Sequence, residues 1–458
     1  MLNDTIAAIA TPPGTGGIAI IKISGPDALE AAGMLFKPAN PKRSLLEQPS
    51  QSMLYGHVYD SGQGDPIDEV LVTVLRGPHS FTGEDVVEIN CHGGPQVSRT
   101  ILDLLLECGL RLAEPGEFTR RAFINGRIDL TQAEATIDLI HARTKRAIRL
   151  GSRMLKDGLG NKIQSLLRII DDSRMRIEAA IEFGEETDMD IAPQDIQDVL
   201  DQTVLPVVDQ LIAAYQHGEW LRNGLRVVLV GKPNVGKSSL MNRLLQKERV
   251  IVTPIPGTTR DTIEEGLEIK GIPILLTDTA GLRRHPDPIE RIGQEKAWQA
   301  VEQADLILFM IDGSQSVDDY DRDMVAKFEG LPHLVVRNKV DLVADPTRLA
   351  VLDRLPLDGY LDISALRGDG IETLKSLIID RFGEDIGIEN DTWLPNRRQK
   401  EILVKVQSLL SGMFTTNPTI DALAIDLRDC ERYFNQILGI DVEPDVLETI
   451  FKRFCIGK

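Results

Sequence analysis

One stretch, LRVVLVGKPNVGKSSLMNRLLQ at residues 225–246, limits the possible folds of this chain more than any other. Its first six residues form an almost uninterrupted apolar, β-branched run, the pattern of a strand buried on both faces. GKPNVGKS follows directly, and the residues after it have helical periodicity. Strand, glycine-rich loop and helix in that order make a P-loop, whose backbone N–H groups turn toward phosphate oxygens. Within it Asn234, Val235, Gly236, Lys237, Ser238 and Ser239 are the candidate nucleotide-binding residues. Lys237 neutralises the β- and γ-phosphates, and the Ser238 hydroxyl suits Mg2+.

Further motifs follow in a fixed order. Asp278-Thr279-Ala280-Gly281 comes after the apolar run PILLT, Asn338-Lys339-Val-Asp341 ends HLVVR, and Ser364-Ala365-Leu366 follows YLDI. Asp278 is placed to hold Mg2+ through water, and the Gly281 N–H to meet the γ-phosphate. The Asp341 carboxylate can accept both the N1–H and the 2-amino group of guanine, a donor pair that adenine lacks, so the pattern selects GTP over ATP. Each loop leaves the C-terminal end of a strand, where open parallel sheets bind ligands. Ras-type enzymes place a water-orienting glutamine just after the DTAG glycine, but here that residue is Leu282. Leucine can neither donate to water nor accept from it. Asp287 and Glu290 are the nearby carboxylates, and spacing alone does not choose between them. Nor does it choose between Thr258 and Thr259 in VTPIPGTTRD as the switch-loop ligand for Mg2+. The Asn234 amide oxygen could hold a monovalent cation beside the phosphates, doing electrostatically what an arginine finger does.

At 458 residues the chain exceeds what one core usually organises. Residues 1–122 alternate apolar β-branched runs (GGIAIIKIS, DEVLVTVLRG, DVVEINCHGG) with turn signals, which predicts an α+β domain. Helical periodicity dominates 123–221. The rhythm of a largely parallel sheet occupies 222–384, and helical pattern resumes over 385–458. The expected architecture is multidomain, α+β and α/β, with a helical domain interrupted by a Ras-like G domain. A net charge of -19 leaves no diffuse attraction for nucleic acid, so RNA has to meet a local basic patch or a basic partner. The four cysteines lack metal-ligand spacing and disulfide density, no apolar run reaches membrane length, and no targeting pattern opens the sequence. A cytoplasmic protein with no membrane contact is expected. His92 reads as structural, and no transition-metal site is expected.

Several segments carry a resemblance: ATPPGTGGIAIIKISG, SFTGEDVVEINCHGG, EPGEFTRRAF, GKPNVGKSSL, IPGTTRD, DTAGLR and the terminal FCIGK. Together they cover the whole chain, which resembles the MnmE family, also called TrmE. That resemblance implies a K+-stimulated GTPase, driven by G-domain dimerisation, that acts as a homodimer. It also implies an N-terminal domain that binds 5-formyltetrahydrofolate or a related tetrahydrofolate. With an FAD-dependent partner, MnmG (GidA), in a heterotetramer, members add a carboxymethylaminomethyl or aminomethyl group at C5 of the wobble uridine, position 34, of certain tRNAs. The tRNA is expected to bind mainly through the complex.

The same resemblance implies the roles of individual residues. Asn234 and the backbone of Thr253, Ile255 and Thr258 would hold K+, Ser238 and Thr259 would hold Mg2+, and Glu290 would orient the attacking water. Folate binding would fall to Lys22, Glu88, Arg127 and Lys458, with Cys455 a catalytic candidate. The chemistry agrees, because a carboxylate matches the adjacent N–H and amino group of a pterin, and basic groups suit its glutamyl carboxylates. Lys22 stands where arginine is common and Arg127 where lysine is common, which changes bidentate options. Two alternatives are a ribosome-assembly GTPase and a folate-binding regulatory GTPase without a modification role. The first is disfavoured by a single P-loop and no basic GXXG module. Multiple-turnover hydrolysis, with loss of wobble modification on deletion, separates both from the MnmE reading.

Overall fold

The computed structural model describes residues 4–60, 64–183, 193–248, 264–278, 297–343, 359–382, 393–415 and 419–458. They form two compact units. One comprises the described residues up to Ile137 with Arg153–Val208 and Ile402–Lys458, and the other comprises Asp138–Ser152 and Asp209–Glu401.

The first unit begins with a seven-stranded sheet in the order β3-β4-β5-β6-β2-β1-β7. Its strands are β1 (Ile6–Ile9), β2 (Ile18–Ser24), β3 (Phe36–Pro38), β4 (Ser52–Tyr59), β5 (Pro66–Leu75), β6 (Val86–His92) and β7 (Arg111–Leu112). All pairings are antiparallel except β1 with β7. Period-2 alternation decides which residues are buried. Ile21 and Ile23 of β2, Val72 and Val74 of β5 and Ile89 of β6 point inward and pack with Leu29, Ile101 and Leu105. The last three belong to α1 (Ala28–Leu35) and α2 (Pro95–Glu107). The opposite face carries Lys22 and Glu88, and it also leaves Ile18, Met53, Tyr55 and Leu71 exposed.

Helices follow: α3 (Glu117–Ile124), α4 (Leu130–His141), α5 (Lys145–Asp157), α6 (Leu159–Phe183), α7 (Pro193–Val199) and α8 (Leu205–Asn223). The periodic run LTQAEATIDLIHARTKRAI is not one helix. Thr144 breaks it by accepting the Ala147 N–H with its side chain at 3.1 Å, which makes it the cap that starts α5.

In the second unit a six-stranded sheet runs β13-β12-β11-β8-β10-β9. The strands are β8 (Leu225–Gly231), β9 (Glu264–Ile269), β10 (Ile272–Asp278), β11 (Leu306–Asp312), β12 (His333–Asn338) and β13 (Tyr360–Asp362). Every pairing is parallel except the edge pair of β9 with β10. Central β11 is buried at every position, which explains why its sequence is a continuous apolar run with no alternation. The α9 (Lys237–Glu248), α10 (Asp319–Lys327) and α11 (Ile371–Asp380) helices complete the α/β layers. The remaining helices are α12 (Arg397–Gly412), α13 (Ile420–Leu438) and α14 (Pro444–Phe451). A reciprocal capping box starts α12: Gln399 N donates to the Asn396 side chain and Asn396 N to the Gln399 side chain, each at 2.9 Å. In the first unit α13 lies along α6, and Arg174 meets Glu431 at 3.0 Å.

Candidate functional site

Parallel pairing brings the C-terminal ends of β8, β10, β12 and β13 to one edge of the second sheet, and each end carries a sequence motif. The phosphate loop between β8 and α9 turns through Asn234 at φ 65° and Gly236 at φ 102°, both left-handed. A methyl group on Gly236 would meet Asn338 Nδ2 at 2.2 Å, so this position requires glycine for its conformation and for its neighbour. Lys237 is buried. Its ammonium donates to the carbonyls of Gly231 at 2.8 Å and Lys232 at 2.9 Å, which holds the loop around the space that phosphates would enter. Burial lowers its pKa, and the Asp278 carboxylate opposes that shift.

Ser238 donates its hydroxyl to Asp278 Oδ2 at 3.2 Å, while Asp278 Oδ1 is buried with no hydrogen-bond partner among the described residues. A buried carboxylate oxygen without a donor, beside a hydroxyl ligand, suits a hard divalent cation, so these two residues fit Mg2+. Asn234 is exposed in the loop. Thr253, Ile255, Thr258, Thr259, Thr279, Ala280, Gly281, Leu282, Asp287 and Glu290 lie outside the described residues.

Asn338 joins three loops. Its Nδ2 donates to Val235 O at 2.8 Å, its Oδ1 accepts from Ala365 N at 2.9 Å, and its own carbonyl accepts from Gly313 N at 2.7 Å. Lys339, left-handed at φ 65°, pairs with Asp312 at 2.7 Å. Asp341 accepts from the fully buried Ser364 hydroxyl at 2.6 Å, and Ser364 in turn accepts from Arg367 N at 3.1 Å. Ala365 is buried and Leu366 projects into solvent. Ser239 sits exposed in the first turn of α9. The sequence did not single out Lys232, whose ammonium enters the capping box of α10, 2.6 Å from Asp321 and 2.8 Å from Asp318. Burial works against that charge, but the two carboxylates outweigh it and raise the pKa. The signal was an unused basic residue inside the loop and a D-D-x-D cluster after β11.

In the first unit, strand register places Lys22 directly opposite Glu88, with 3.8 Å between the charged atoms. The Lys22 ammonium lies 5.2 Å from the Phe81 ring and 5.5 Å from the Phe118 ring. Burial lowers its pKa, Glu88 opposes the shift, and the charge of Lys458 adds to it, so the chain's last residue reaches the same place. Gly457 makes that approach possible. It is left-handed, and a Cβ there would meet Ala10 Cα and Ile9 O, each at 2.7 Å. Cys455 is exposed, which excludes a buried apolar role, and its carbonyl accepts from Gly116 N at 3.4 Å. Arg127 donates to the carbonyl of Ser80 at 3.4 Å, next to Phe81. The two rings beside Lys22 were missed, although SFTGED and EPGEFT contain them; Phe81 is exposed, whereas Phe118 is fully buried with Ile6, Ala8 and Ala113. Nearby, the buried Arg121 guanidinium meets Glu84 at 3.1 Å, Glu117 at 3.1 Å and the more exposed Asp4 at 2.9 Å. His92 pairs with Asp68 at 2.6 Å, and among the described residues no cluster of metal-ligating side chains occurs. No helix of the described residues is long and apolar enough to cross a membrane.

A parallel sheet with a P-loop, an Asp beside its serine and an N-K-x-D loop tied to an S-A-L loop defines a guanine-nucleotide-binding P-loop protein. The N-terminal sheet and the helices narrow the class. Residues 5–127 match the model for the N-terminus of the GTP-binding protein TrmE, and residues 130–455 match the MnmE helical domain. The tRNA modification GTPase MnmE of Carboxydothermus hydrogenoformans is 41% identical, with 100% of both chains covered. That of Roseiflexus castenholzii is 42% identical over the same shares. A solved structure of an Aquifex aeolicus Era variant bound to GDP and aluminium fluoride aligns with 43% of this chain and 69% of its own, at 27% identity and TM-score 0.29. The chain belongs to the MnmE (TrmE) family of tRNA modification GTPases.

Proposed function

We propose that this protein couples GTP hydrolysis to the addition of an aminomethyl-type group at C5 of the wobble uridine of certain tRNAs. It does so as a homodimer, in the cytoplasm, together with the FAD-dependent MnmG partner. The observation that carries this reading is the meeting of Lys22, Glu88 and Lys458 beside two aromatic rings, in the same chain as a guanine-nucleotide site. A GTPase that only switched would have no use for that second group of residues. The exposed apolar residues on the same sheet face, Ile18, Met53, Tyr55 and Leu71, support a homodimer.

At the nucleotide site, Lys237 exchanges its two carbonyl acceptors for phosphate oxygens, whose negative charge offsets the burial that disfavours the ammonium. Asp341, held by Ser364, accepts the guanine donor pair. Ser238 and Asp278 would hold Mg2+ with Thr259, and Asn234 would hold K+ with Thr253, Ile255 and Thr258. The cations supply positive charge against the charge that develops on the phosphates. Glu290 orients the attacking water.

At the second pocket, Glu88 accepts the paired pterin donors and Lys22 orients Glu88. Phe81, which is exposed, stacks on the ring system, and Arg127 and Lys458 meet the glutamyl carboxylates. When bound, a tetrahydrofolate supplies the one-carbon unit. Cys455 is exposed, three residues before Lys458, and is the candidate reactive thiol. Mass spectrometry of tRNA nucleosides tests the proposal in a deletion strain complemented with the wild-type chain or with Glu88→Ala. Loss of the wobble modification is expected in the deletion and in the Glu88→Ala strain. Its persistence in the deletion strain refutes the function.

A further inference from the structure

Lys232, the second residue of GKPNVGKS, is held at both its backbone and its side chain. Its carbonyl accepts the Lys237 ammonium at 2.9 Å. Its own ammonium leaves the loop for the start of α10, where it lies 2.6 Å from Asp321 Oδ2 and 2.8 Å from Asp318 Oδ1. Those are the distances of charge-assisted bonds. The Asp321 side chain is 4% exposed, so water and salt screen this pair less than they screen a surface pair.

The helix does not need the ammonium. Asp318 Oδ1 accepts from Tyr320 N at 2.9 Å and from Asp321 N at 3.2 Å, and Asp321 Oδ2 accepts from Asp318 N at 3.1 Å. The first turn of α10 is thus capped from within, and a cation at a helix N-terminus opposes the helix dipole. The two carboxylates are acceptors already set in place by their own backbone. Met324 and Val325 fix α10 to the sheet, where they pack with Val228, Val230 and Phe309. The element that gains from the pair is therefore the loop. Further along, the loop is tied again at Val235 O, which accepts from Asn338 at 2.8 Å. Between the two ties lie Pro233 and the left-handed Asn234, both exposed. Pro233 also biases Lys232 toward extended backbone.

We propose that Lys232 is a positioning residue for the nucleotide site: anchored on Asp318 and Asp321, it fixes the first limb of the P-loop and the carbonyl from which Lys237 turns to the phosphates. The inference rests on the reading that this loop takes the phosphates of GTP. Lys232 touches no phosphate itself and acts through Lys237. Without the anchor the limb samples other arrangements, and the fraction of chains ready to bind falls.

Titration calorimetry on the full-length chain tests this with two ligands, GDP and inorganic triphosphate, each with Mg2+. It compares the wild type, Lys232→Met, Lys232→Arg and the double variant Lys232→Met/Asp321→Asn, with thermal melting in parallel. Lys232→Met removes the ammonium but leaves the buried Asp321 carboxylate without it, whereas the double variant removes that unpaired charge as well. A lysine that only stabilised the fold would regain melting temperature and affinity together in the double variant. A positioning lysine regains melting temperature alone. The Kd for both ligands is expected to rise about tenfold or more in Lys232→Met and to stay raised in the double variant. Lys232→Arg, whose guanidinium suits two carboxylates, is expected to stay within about threefold of the wild type. If Lys232→Met does not fold, the double variant carries the same comparison. Wild-type affinity in the double variant overturns the proposal, as does a loss for GDP with triphosphate untouched. An arginine variant as weak as the methionine one also overturns it. A wild-type chain that binds neither ligand removes the nucleotide reading of the loop, whereas normal wild-type binding with unchanged variants removes this inference alone.

Discussion

Asn338 ties the phosphate loop to the guanine loops, and its removal should weaken nucleotide binding through the loops rather than through the base. The side chain is buried, with one bond to Val235 O at 2.8 Å and one from Ala365 N at 2.9 Å. Asn338→Ala leaves the Ala365 N–H without its acceptor and Val235 O without this donor. An orphaned buried group costs about 1–3 kcal/mol. The loops relieve that cost by leaving the bridged arrangement, so the binding-competent fraction falls about 5- to 150-fold and the apparent Kd for GDP rises by the same factor. Asn338→Asp keeps the acceptor for Ala365 N but turns an oxygen toward the Val235 carbonyl, so its loss should be at least as large.

The discriminating ligand is inorganic triphosphate, which carries no base. Bracing of the P-loop predicts that triphosphate affinity falls together with GDP affinity, measured by titration calorimetry with melting curves as a fold control. GDP affinity within twofold of wild type would refute the bridging role. A fall for GDP with triphosphate unchanged would show that Asn338 acts only at the base.

Three shorter predictions address other parts of the molecule. Asp341→Asn should reduce GTP affinity and relax the preference over ATP or xanthosine triphosphate, since an amide cannot accept both guanine donors; unchanged selectivity in a competition assay rejects the role. Glu290→Ala should keep nucleotide affinity and lose roughly 100-fold or more in turnover, whereas Asp287→Ala retains activity; the reverse outcome in single-turnover kinetics removes Glu290 from the mechanism. Asp68 raises the pKa of His92, so the pair's contribution to stability is full below the ordinary histidine value of 6.5 and is lost as pH rises through the raised one. His92→Gln should therefore flatten the fall in melting temperature over that window, and an identical pH profile would refute the coupling.

What could be read from the sequence followed from how far each signal reaches along the chain. Strand, P-loop and helix lie within 24 residues, so the motif states its own context, and a parallel sheet follows from buried runs such as β11. The antiparallel edge strand β9 has no such mark, because EEGLEI is defined by pairing with β10. The bond from Asn338 to Val235 spans 103 residues, and that from Lys232 to Asp321 spans 89. A short motif cannot encode contacts of that reach, which come from strand order. Thr144 was a local signal within a periodic run, where a β-branched hydroxyl residue can cap the next helix as readily as continue the last.

The Lys22–Glu88 pair shows why composition hides such arrangements. Lys22 and Glu88 are ordinary strand residues until antiparallel register sets them face to face, and a one-residue slip of β2 against β6 would send one of them into the core. The inward valines and isoleucines that exclude this slip therefore position the pair as firmly as any direct contact does. Lys458 comes near this pair from the far end of the sequence because Phe451 and Phe454 anchor the C-terminal segment on Leu130 and Ala133, and because Gly457 lets the backbone pass Ile9 and Ala10. Hydrophobic burial thus selects the register and the path of the tail. The charged groups, each costly to bury alone, collect where that packing leaves them partners.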